Sequence, residues 1–395
     1  MGDYRKGGRG MSELKKVKFL DYIELNPKVS IAKGEVCPFI EMANVDCNMR
    51  QPRSFESKPF TSGVKFQTYD TVIARIEPCL QNGKGFLFTK QGVGFGSTEY
   101  LVFRAKPSKT IPLFVYYFMR THKIKTLMCN SMSGATGRQR VNNDVFLNLE
   151  VDIPSYDEQQ RIATILSRYD SLIENYQKQI RLLEESAQRL YKEWFIDLRF
   201  PGHENTKIVD GVPEGWEKKK ITELVNVQYG YAFDGKLFNS NSEGMPILRI
   251  RNIPDGITSD YTTEEASADY VVHNGDIVVG MDGIFHINTW SGGDAYLVQR
   301  ACSFRPIEEV IKGFIFLAIK EPIKYFEQTL VGSTVAHLGK KHIDSIEILV
   351  PNRKELFKSL QDIFNQRQNM LYQIRHLTEA RDRLLPKLMS GEIEV

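Results

Sequence analysis

Two long stretches of the chain place their apolar residues at alternating spacings of four and three, the pattern of heptad-repeat helices. The first ladder consists of Ile162, Leu166, Tyr169, Ile173, Tyr176, Ile180, Leu183, Ala187, Leu190 and Trp194. The second consists of Leu356, Leu360, Ile363, Arg367, Met370, Ile374, Leu377, Arg381, Leu384 and Leu388. A continuous helix over 155–196 would be roughly 63 Å long at about 1.5 Å per residue.

Each ladder follows a proline and a helix-capping signature. Ser155 lies three residues before Glu158, which predicts a capping box in which each residue satisfies a free amide of the other. Asn352 and Glu355 repeat this spacing before the second ladder. Pro386 is expected to bend or end the second helix.

The simplest partner for each predicted helix is the other one, in an antiparallel coiled coil within the chain. Arg367 and Arg381 stand at positions of the second ladder and make its packing less regular. Self-association through the same seams is an alternative, and so is a pair of ordinary amphipathic core helices. Narrow seams that persist over more than four heptads favour the coiled coil.

The stretches before the two ladders resemble each other. Residues 14–153 and 216–350 carry short apolar runs broken by Gly, Pro, Asn and Asp, which predicts mixed α and β structure. Shared landmarks occur in the same order: 38–45 with 246–253, 69–74 with 275–280, 102–104 with 303–305, 113–119 with 313–319, and 134–136 with 332–334. A single repeat of this length indicates two similar modules rather than a solenoid.

The predicted fold class is therefore α+β, with two globular mixed α/β domains, two long helices and an internal pseudo-twofold repeat. We treat the Gly/Arg-rich start of the chain as a leader or tag. The predicted boundaries are 1–11 for this leader, 12–154 for the first domain, 155–200 for the first helix, 201–215 for a connector, 216–351 for the second domain and 352–395 for the second helix.

Composition narrows the function only slightly. A net charge of +3 is compatible with nucleic-acid binding without indicating it. The chain has no apolar run of membrane-spanning length and no signal-peptide pattern, so we expect a cytoplasmic protein. Its five cysteines are scattered without a CxxC motif, which is typical of reduced thiols rather than of disulfides or a zinc site.

Motifs for independent catalysis are missing from the sequence. It contains no phosphate-binding G-x-x-x-x-G-K-[ST] loop, no Asn-Pro-Pro-Tyr-type tetrapeptide and no HExxH pair. We therefore predict no catalytic residue and no metal ligand, and we expect no cofactor to bind this chain.

Polar and basic loop residues are the candidates for binding, because Arg can fork to guanine, Gln to adenine, and Lys, Ser or Thr to phosphate. In the first module they are Arg75, Lys84, Ser97, Thr98, Arg138, Gln139 and Arg140. In the second they are Tyr231, Arg249, Arg251, His286, Arg300, His337, Lys340 and Lys341, with Arg249 and Arg251 expected on one face of a strand. A solvated surface residue or a local ion pair is the competing interpretation for each of them.

Several segments together resemble the specificity (S, HsdS) subunits of type I restriction–modification systems. They are 154–173, 194–204, 212–217, 275–279, 96–100 and 384–392. The resemblance extends from residue 12 to the end of the chain. One departure is that Glu355-Leu356 stands where the first copy has Glu158-Gln159, so the two helix ends are expected to engage their partners unequally.

The resemblance implies a DNA-binding subunit with two target-recognition domains, each reading one half of a bipartite site. It implies an antiparallel coiled coil that spaces these domains and docks two methyltransferase (HsdM) subunits. Adenine methylation with S-adenosylmethionine would belong to HsdM, and cleavage driven by ATP and Mg²⁺ to HsdR motor subunits. A related system in which one partner chain both modifies and cleaves is a variant of this hypothesis.

Two other classes of function stay open at this point. One is a single-chain DNA methyltransferase or nuclease whose site the motifs do not reveal. The other is a coiled-coil adaptor that joins proteins and does not contact DNA. The sequence of the DNA target does not follow from the residues, because side-chain identity maps to bases only once the docking geometry is known.

Overall fold

The computed structural model describes residues 14–135, 137–330 and 336–395, which fall into two compact units. The first unit combines the chain up to Asn175 with His376–Val395, and the second is Tyr176–Arg375. The predicted leader at 1–11 and the landmark at 332–334 lie outside the described residues, as does Thr136 of its counterpart.

The first unit contains ten strands and three short helices among its described residues. The strands are β1 (Lys15–Lys18), β2 (Ile23–Leu25), β3 (Val36–Ile40), β4 (Glu56–Pro59), β5 (Val64–Gln67), β6 (Thr71–Ala74), β7 (Gly85–Leu87), β8 (Val93–Gly96), β9 (Tyr100–Ala105) and β10 (Glu150–Ile153). The short helices are α1 (Phe19–Tyr22), α2 (Pro112–Met119) and α3 (His122–Asn130). The long helix α4 (Tyr156–Tyr191) begins here and continues into the second unit.

The second unit contains thirteen strands and three short helices among its described residues. Its strands are β11 (Ile208–Val209), β12 (Val212–Pro213), β13 (Trp216–Lys220), β14 (Val225–Tyr229), β15 (Phe238–Asn239), β16 (Met245–Leu248), β17 (Tyr261–Thr262), β18 (Val271–Val272), β19 (Ile277–Gly280), β20 (Ile287–Thr289), β21 (Ala295–Leu297), β22 (Ala301–Pro306) and β23 (Glu347–Pro351). Its helices are α5 (Lys312–Ala318), α6 (Lys320–Thr329), α7 (Lys340–Asp344) and the start of α8 (Glu355–Met389).

Strand pairing confirms the internal repeat. The first unit has a sheet in the order β2-β9-β6-β7, and the second has the same sheet in the order β14-β22-β19-β20. A further sheet in each unit contains a parallel pair, β3 with β8 and β16 with β21. In both units the strand before the long helix pairs with an early strand, β10 with β1 and β23 with β13. The α+β fold with two similar mixed domains is thus as predicted.

One landmark shows how closely the two copies agree. The carboxylate of Asp70 accepts the backbone N–H of Gln67 at 2.7 Å, at the turn that enters β6. The carboxylate of Asp276 accepts the backbone N–H of His273 at 3.0 Å, at the turn that enters β19. An aspartate that bonds its own backbone stabilises a tight turn, so the same sequence signal starts the same buried strand twice.

The first predicted capping box is present, whereas the second is not. Ser155 donates its backbone N–H to Glu158 Oε2 at 3.0 Å, and Glu158 returns its N–H to Ser155 Oγ at 3.3 Å. The second long helix begins at Glu355, three residues after the predicted N-cap residue Asn352. Asn352 instead donates its backbone N–H to the carbonyl of Gly215 at 2.9 Å, which ties it to the connector.

The predicted helix ends also need correction. Helix α4 ends at Tyr191 and passes into a π-helical turn over Lys192–Ile196, so it does not reach residue 200. Pro386 does not end α8, which continues to Met389. Leu388 is buried in the core of the first unit, and this packing outweighs the backbone hydrogen bond that the proline cannot donate.

The long helices pair antiparallel within each unit. In the first unit, Asp170 of α4 meets Arg381 of α8, while Ile162 shares one buried cluster with Leu388. In the second unit, Glu184 meets Arg367, and the ring of Phe195 lies 6.1 Å from that of Phe357. Later residues of α4 therefore face earlier residues of α8, as the coiled-coil prediction required.

Arg381, one of the two arginines of the second ladder, is the centre of a buried polar cluster in the first unit. Its side chain is 6% exposed, and it donates to Asp170 at 2.7 Å and to the Asn48 carbonyl at 3.0 Å. The hydroxyl of Tyr117 donates to the same aspartate. Burial raises the pKa of Tyr117, and the charge of Asp170 raises it further, so the phenol stays protonated.

Arg367 occupies the corresponding place in the second unit. It bonds Glu184 at 2.6 Å, the Thr289 hydroxyl at 2.6 Å and the Asn288 amide oxygen at 3.2 Å. Asp170 and Glu184 lie two heptads apart on α4, as do Arg367 and Arg381 on α8. The two arginines that made the ladder irregular therefore fasten α8 both to α4 and to a globular domain.

Because Ser155 caps its helix and Asn352 does not, replacing each by alanine should change the free energy of unfolding by different amounts. Ser155→Ala removes an observed cap and should lower the free energy of unfolding by about 1 kcal/mol. Asn352→Ala removes a side chain that does not cap α8 and should change it by less than about 0.5 kcal/mol. Urea denaturation followed by circular dichroism measures both. Equal losses in the two variants would contradict the assigned helix starts.

The buried ion pair predicts a strongly non-additive mutant cycle. Asp170→Leu removes the buried carboxylate that faces Arg381 and leaves this arginine only the more exposed carboxylate of Asp382, its neighbour in sequence. The substitution should cost about 3–5 kcal/mol, whereas adding Arg381→Met should recover most of that loss. The exposed pair Lys16–Glu150, in the same unit, is the control, because its double replacement should cost less than about 1 kcal/mol. Additive losses at Asp170 and Arg381 would show that the two side chains do not interact.

Candidate nucleic-acid interface

Arg75, Glu99 and Arg140 come together in the first unit, where β6 ends and β9 begins. The backbone N–H of Arg75 donates to the Glu99 carbonyl at 2.9 Å, and that of Val141 donates to the Arg75 carbonyl at 2.9 Å. Backbone hydrogen bonds of 3.0 Å in both directions between Ser133 and Arg140 close the intervening loop. The sheet edge therefore brings together three segments that are distant in sequence.

A carboxylate holds the guanidinium of Arg140. Its Nε and Nη2 donate to Glu99 at distances of 2.6–3.0 Å, and Nη1 donates to the Arg138 carbonyl at 3.2 Å. The side chain of Arg140 is still 45% exposed. A guanidinium has five N–H groups, one on Nε and two on each terminal nitrogen. Since Nε, Nη1 and Nη2 each use one in these contacts, one N–H on Nη1 and one on Nη2 remain for a ligand. The hydrogen bond to Glu99 also raises the pKa of Arg140.

The remaining candidates of the first unit differ in exposure and in the hydrogen bonds that their side chains make. Arg138 and Thr98 are exposed, and within the described residues the side chain of Arg138 has no ion-pair partner. Ser97 accepts the N–H of Glu99 at 3.1 Å, so its hydroxyl shapes the turn. The side chain of Gln139 makes a long contact of 3.5 Å with the Gly134 carbonyl.

Arg75 and Lys84 are partly buried rather than free surface cations. Arg75 donates through Nη2 to the Val141 carbonyl at 3.2 Å, and its buried Nε has no partner among the described residues. Lys84 donates to the Met42 carbonyl at 3.0 Å. Both cations therefore support the loops around the sheet edge.

The second unit builds the same sheet edge with different side chains. The backbone N–H of Met281 donates to the Arg300 carbonyl at 2.8 Å, and that of Leu338 donates to the Met281 carbonyl at 2.7 Å. These bonds repeat those of Arg75 in the first unit. Arg300 consequently stands where the first unit has Glu99, and His337 stands where it has Arg140.

Asp282 connects the two cations of this second site. It accepts from Arg300, and it lies 2.6 Å from Nδ1 of His337. Asp282 is only 15% exposed, whereas the arginine and histidine side chains are 67% and 59% exposed. Burial raises the pKa of Asp282, but the hydrogen bonds from His337 and Arg300 outweigh burial and hold this pKa below its ordinary value of 3.8.

Arg249 and Arg251 do not share one face of a strand, as the sequence suggested. Strand β16 ends at Leu248, and a 3₁₀ turn over Ile250–Asn252 follows it. Arg251 forms a two-pronged ion pair with Asp260 at 2.6–3.1 Å. Arg249 lies over the Phe238 ring at 5.2 Å. Both arginines thus have local structural partners.

The other candidates of the second unit have different surroundings. Tyr231 packs against Phe233, with ring centroids 4.8 Å apart. His286 accepts the backbone N–H of Gly280 through its carbonyl, as Lys84 accepts that of Ala74, so the two candidates occupy equivalent positions. Lys340 and Lys341 are exposed at the start of α7.

The predicted binding residues include neither Glu99 nor Asp282. They are the residues that fix the orientation of Arg140, Arg300 and His337. In the sequence, an acidic residue beside an otherwise basic loop was the signal that could have indicated these carboxylates. The described residues contain no cluster of three His, Cys, Asp or Glu side chains that could hold a metal, and no described helix is long and apolar enough to cross a membrane.

Comparison with known protein families gives a consistent result. The model of the type I restriction modification DNA specificity domain matches residues 31–185 and 213–374. The two matches correspond to the two halves of the internal repeat, and together they include both sheet-edge sites.

Known relatives cover most of the chain. The MjaIX specificity subunit of Methanocaldococcus jannaschii is 29% identical over 302 residues, which is 71% of this chain and 69% of that protein. The HindI specificity subunit of Haemophilus influenzae is 23% identical over 372 residues, with 75% and 81% covered. The crystal structure of a type I restriction–modification S subunit from M. genitalium matches with a TM-score of 0.55 at 15% identity, over 97% of each chain, and so supports the fold.

The lowered pKa of Asp282 predicts how stability depends on pH. The stabilisation from this carboxylate is complete above its ordinary pKa of 3.8 and is lost as pH falls through the lower pKa of the folded state. Asp282→Asn should therefore lower the urea midpoint at pH 7, and the difference from wild type should shrink below about pH 4. Asp294→Asn, at an exposed pair with His273, is the control and should change little. A difference for Asp282→Asn that is constant down to pH 2.5 would argue against the ion triad.

Proposed function

We propose how target recognition works in this chain, which belongs to the family of type I restriction–modification DNA specificity domains. The chain is a non-catalytic DNA-recognition subunit of a type I restriction–modification system. In our proposal each globular domain reads one half of a bipartite DNA site. This family membership favours DNA recognition over a single-chain enzyme and over an adaptor without DNA contact.

The observation that carries the proposal is the pair of equivalent sheet-edge sites. Each site presents an exposed arginine, Arg140 or Arg300, whose guanidinium contacts a less exposed carboxylate. Guanine O6 and N7 together accept the two parallel N–H groups of an arginine in the major groove. A guanidinium that is already oriented loses less rotamer entropy when it binds, so the carboxylate would increase selectivity.

Other cations would hold the DNA without reading it. Arg138 is exposed two residues before Arg140, the arginine that Glu99 binds. Lys340 and Lys341 are exposed close to His337 in the sequence of the second unit. Lysine and unpaired arginine side chains suit phosphate oxygens, and such contacts give affinity and register but little sequence information. Thr98, Gln139 and the remaining candidates of the predicted set would lie at the edges of these contacts.

We further propose the division of labour that the family resemblance implies. The paired long helices would set the spacing of the two domains and dock two HsdM methyltransferase subunits, with HsdR motor subunits joining the complex. S-adenosylmethionine, ATP and Mg²⁺ would then bind in those partners. The domain boundaries at 12–154 and 216–351 and a cytoplasmic location stay predictions.

Arginine-to-lysine substitutions test the proposal, because lysine keeps the charge and loses the fork. Arg140→Lys and Arg300→Lys should each relax selectivity at one base position, in different half-sites, by about 1–3 kcal/mol. Arg138→Gln, the control in the same loop, should weaken all sequences alike and reduce the salt dependence by about one phosphate contact. Selection from randomised duplexes by the full chain with its methyltransferase subunit measures both effects.

Two negative results have different meanings. Unchanged base preferences in both lysine variants would overturn the assignment of Arg140 and Arg300 but leave DNA recognition intact. Absence of any salt-dependent, sequence-selective binding by the wild-type assembly would contradict the proposed function itself.

A further inference from the structure

The first unit contains a partly enclosed cavity beside the sheet-edge site. Its volume is about 190 Å³, and Thr71, Lys84, Tyr116, Arg120 and Lys125 are among the residues that line it. Strands β6 and β7 form one wall, and helices α2 and α3 with the segment between them form another. The volume exceeds that of several water molecules, at roughly 30 Å³ each, so a small ligand fits.

One wall carries a polar group that has no partner. Thr71 is 1% exposed, and its hydroxyl makes no hydrogen bond within the part of the chain that the structure describes. A buried hydroxyl without a hydrogen-bond partner destabilises the folded state. A ligand with an acceptor oxygen in this cavity would remove that cost.

The cavity is also strongly basic. Lys84, Arg120 and Lys125 line it, and none of the three is paired with a carboxylate among the described residues. Backbone carbonyls position the first two, since Lys84 donates to Met42 at 3.0 Å and Arg120 donates to Gly83 at 3.4 Å. The described lining includes no Asp or Glu side chain that could balance the three charges.

We propose that this cavity binds a phosphoryl group, with the Thr71 hydroxyl and the three cations as its donors. Phosphate oxygens accept such charge-assisted hydrogen bonds strongly. The group could belong to the DNA backbone or to a free phosphate. Lys84 favours the DNA source, because its carbonyl accepts the N–H of Ala74, directly before Arg75 of the sheet-edge site. Assignment to DNA rests on the proposed function, whereas the phosphoryl chemistry does not.

The second unit lacks the key donor at the equivalent place. Thr71 pairs with Phe103 in β9, and Ile277 pairs with Phe304 in β22, so Ile277 occupies the position of Thr71. Ile277 is fully buried in the apolar core of its unit. The phosphoryl site is therefore a property of the first domain, and it would make the two domains hold their half-sites differently.

Inorganic phosphate and DNA provide two separate tests on the full chain. Broadening of the ³¹P resonance of inorganic phosphate, at constant ionic strength in chloride, measures binding to the cavity. Wild type should broaden it saturably, and Thr71→Val and Lys125→Gln should reduce the effect severalfold. Thr71→Val removes only an unpaired hydroxyl, so it should not impair folding. Lys123→Gln, which removes an exposed charge from the same helix but outside the cavity, is the matched control.

The salt dependence of duplex binding then identifies the source. If the cavity holds a DNA phosphate, Lys125→Gln should lower the slope of log K against log salt by about 0.9, equally for all sequences, while Lys123→Gln leaves it unchanged. If Thr71→Val and Lys125→Gln both lose phosphate binding but Lys125→Gln leaves the salt slope of duplex binding unchanged, the site is supported and its ligand is a free phosphoryl group. The inference is overturned if wild type does not broaden the resonance and Lys125→Gln matches Lys123→Gln in both tests, whether or not the chain binds DNA.

Discussion

A buried arginine needs a carboxylate facing it, and this constraint fixes how the long helices of the protein meet its globular domains. Arg381 with Asp170 and Arg367 with Glu184 each join α8 to α4. Each arginine also reaches a backbone or side-chain group of a domain, Asn48 in one case and Thr289 in the other. A slip of one residue in the helix pairing would leave buried charges unpaired, at a cost of several kcal/mol. Apolar rungs alone tolerate such slips better, so the ion pairs specify the register.

The same principle operates at the sheet edges, with a different result. There the carboxylates of Glu99 and Asp282 are less exposed than the cations they hold, and the cations keep N–H groups for a ligand. Since the backbone contacts around both sites are equivalent, side chains can change while the site keeps its place. Glu99 in one copy and Arg300 in the other illustrate this freedom. A duplicated scaffold can thereby present two different reading surfaces.

The sequence predicted the repeat, the two mixed domains and the antiparallel helices, because heptad spacing and turn signals act locally. It predicted the cap at Ser155 but misplaced the second helix start, since Asn352 bonds Gly215 across the fold instead. From the sequence, Arg367 and Arg381 are only irregular positions of the second ladder. Their acidic partners lie on the other helix, so the ion pairs do not follow from the spacing within one helix. Of the binding candidates, Arg140, Arg300 and His337 converge at equivalent sites, whereas Arg249 and Arg251 have local partners. Only tertiary contacts distinguish these cases.

We propose that one chain reads two half-sites through two copies of one domain. Base-resolution mapping of methylated adenines in the source genome, with the gene intact and with it deleted, is the most direct test. A single two-part motif, with a fixed unspecified spacer, should lose methylation on deletion. Persistence of every motif after deletion, or loss of an undivided motif alone, would contradict it.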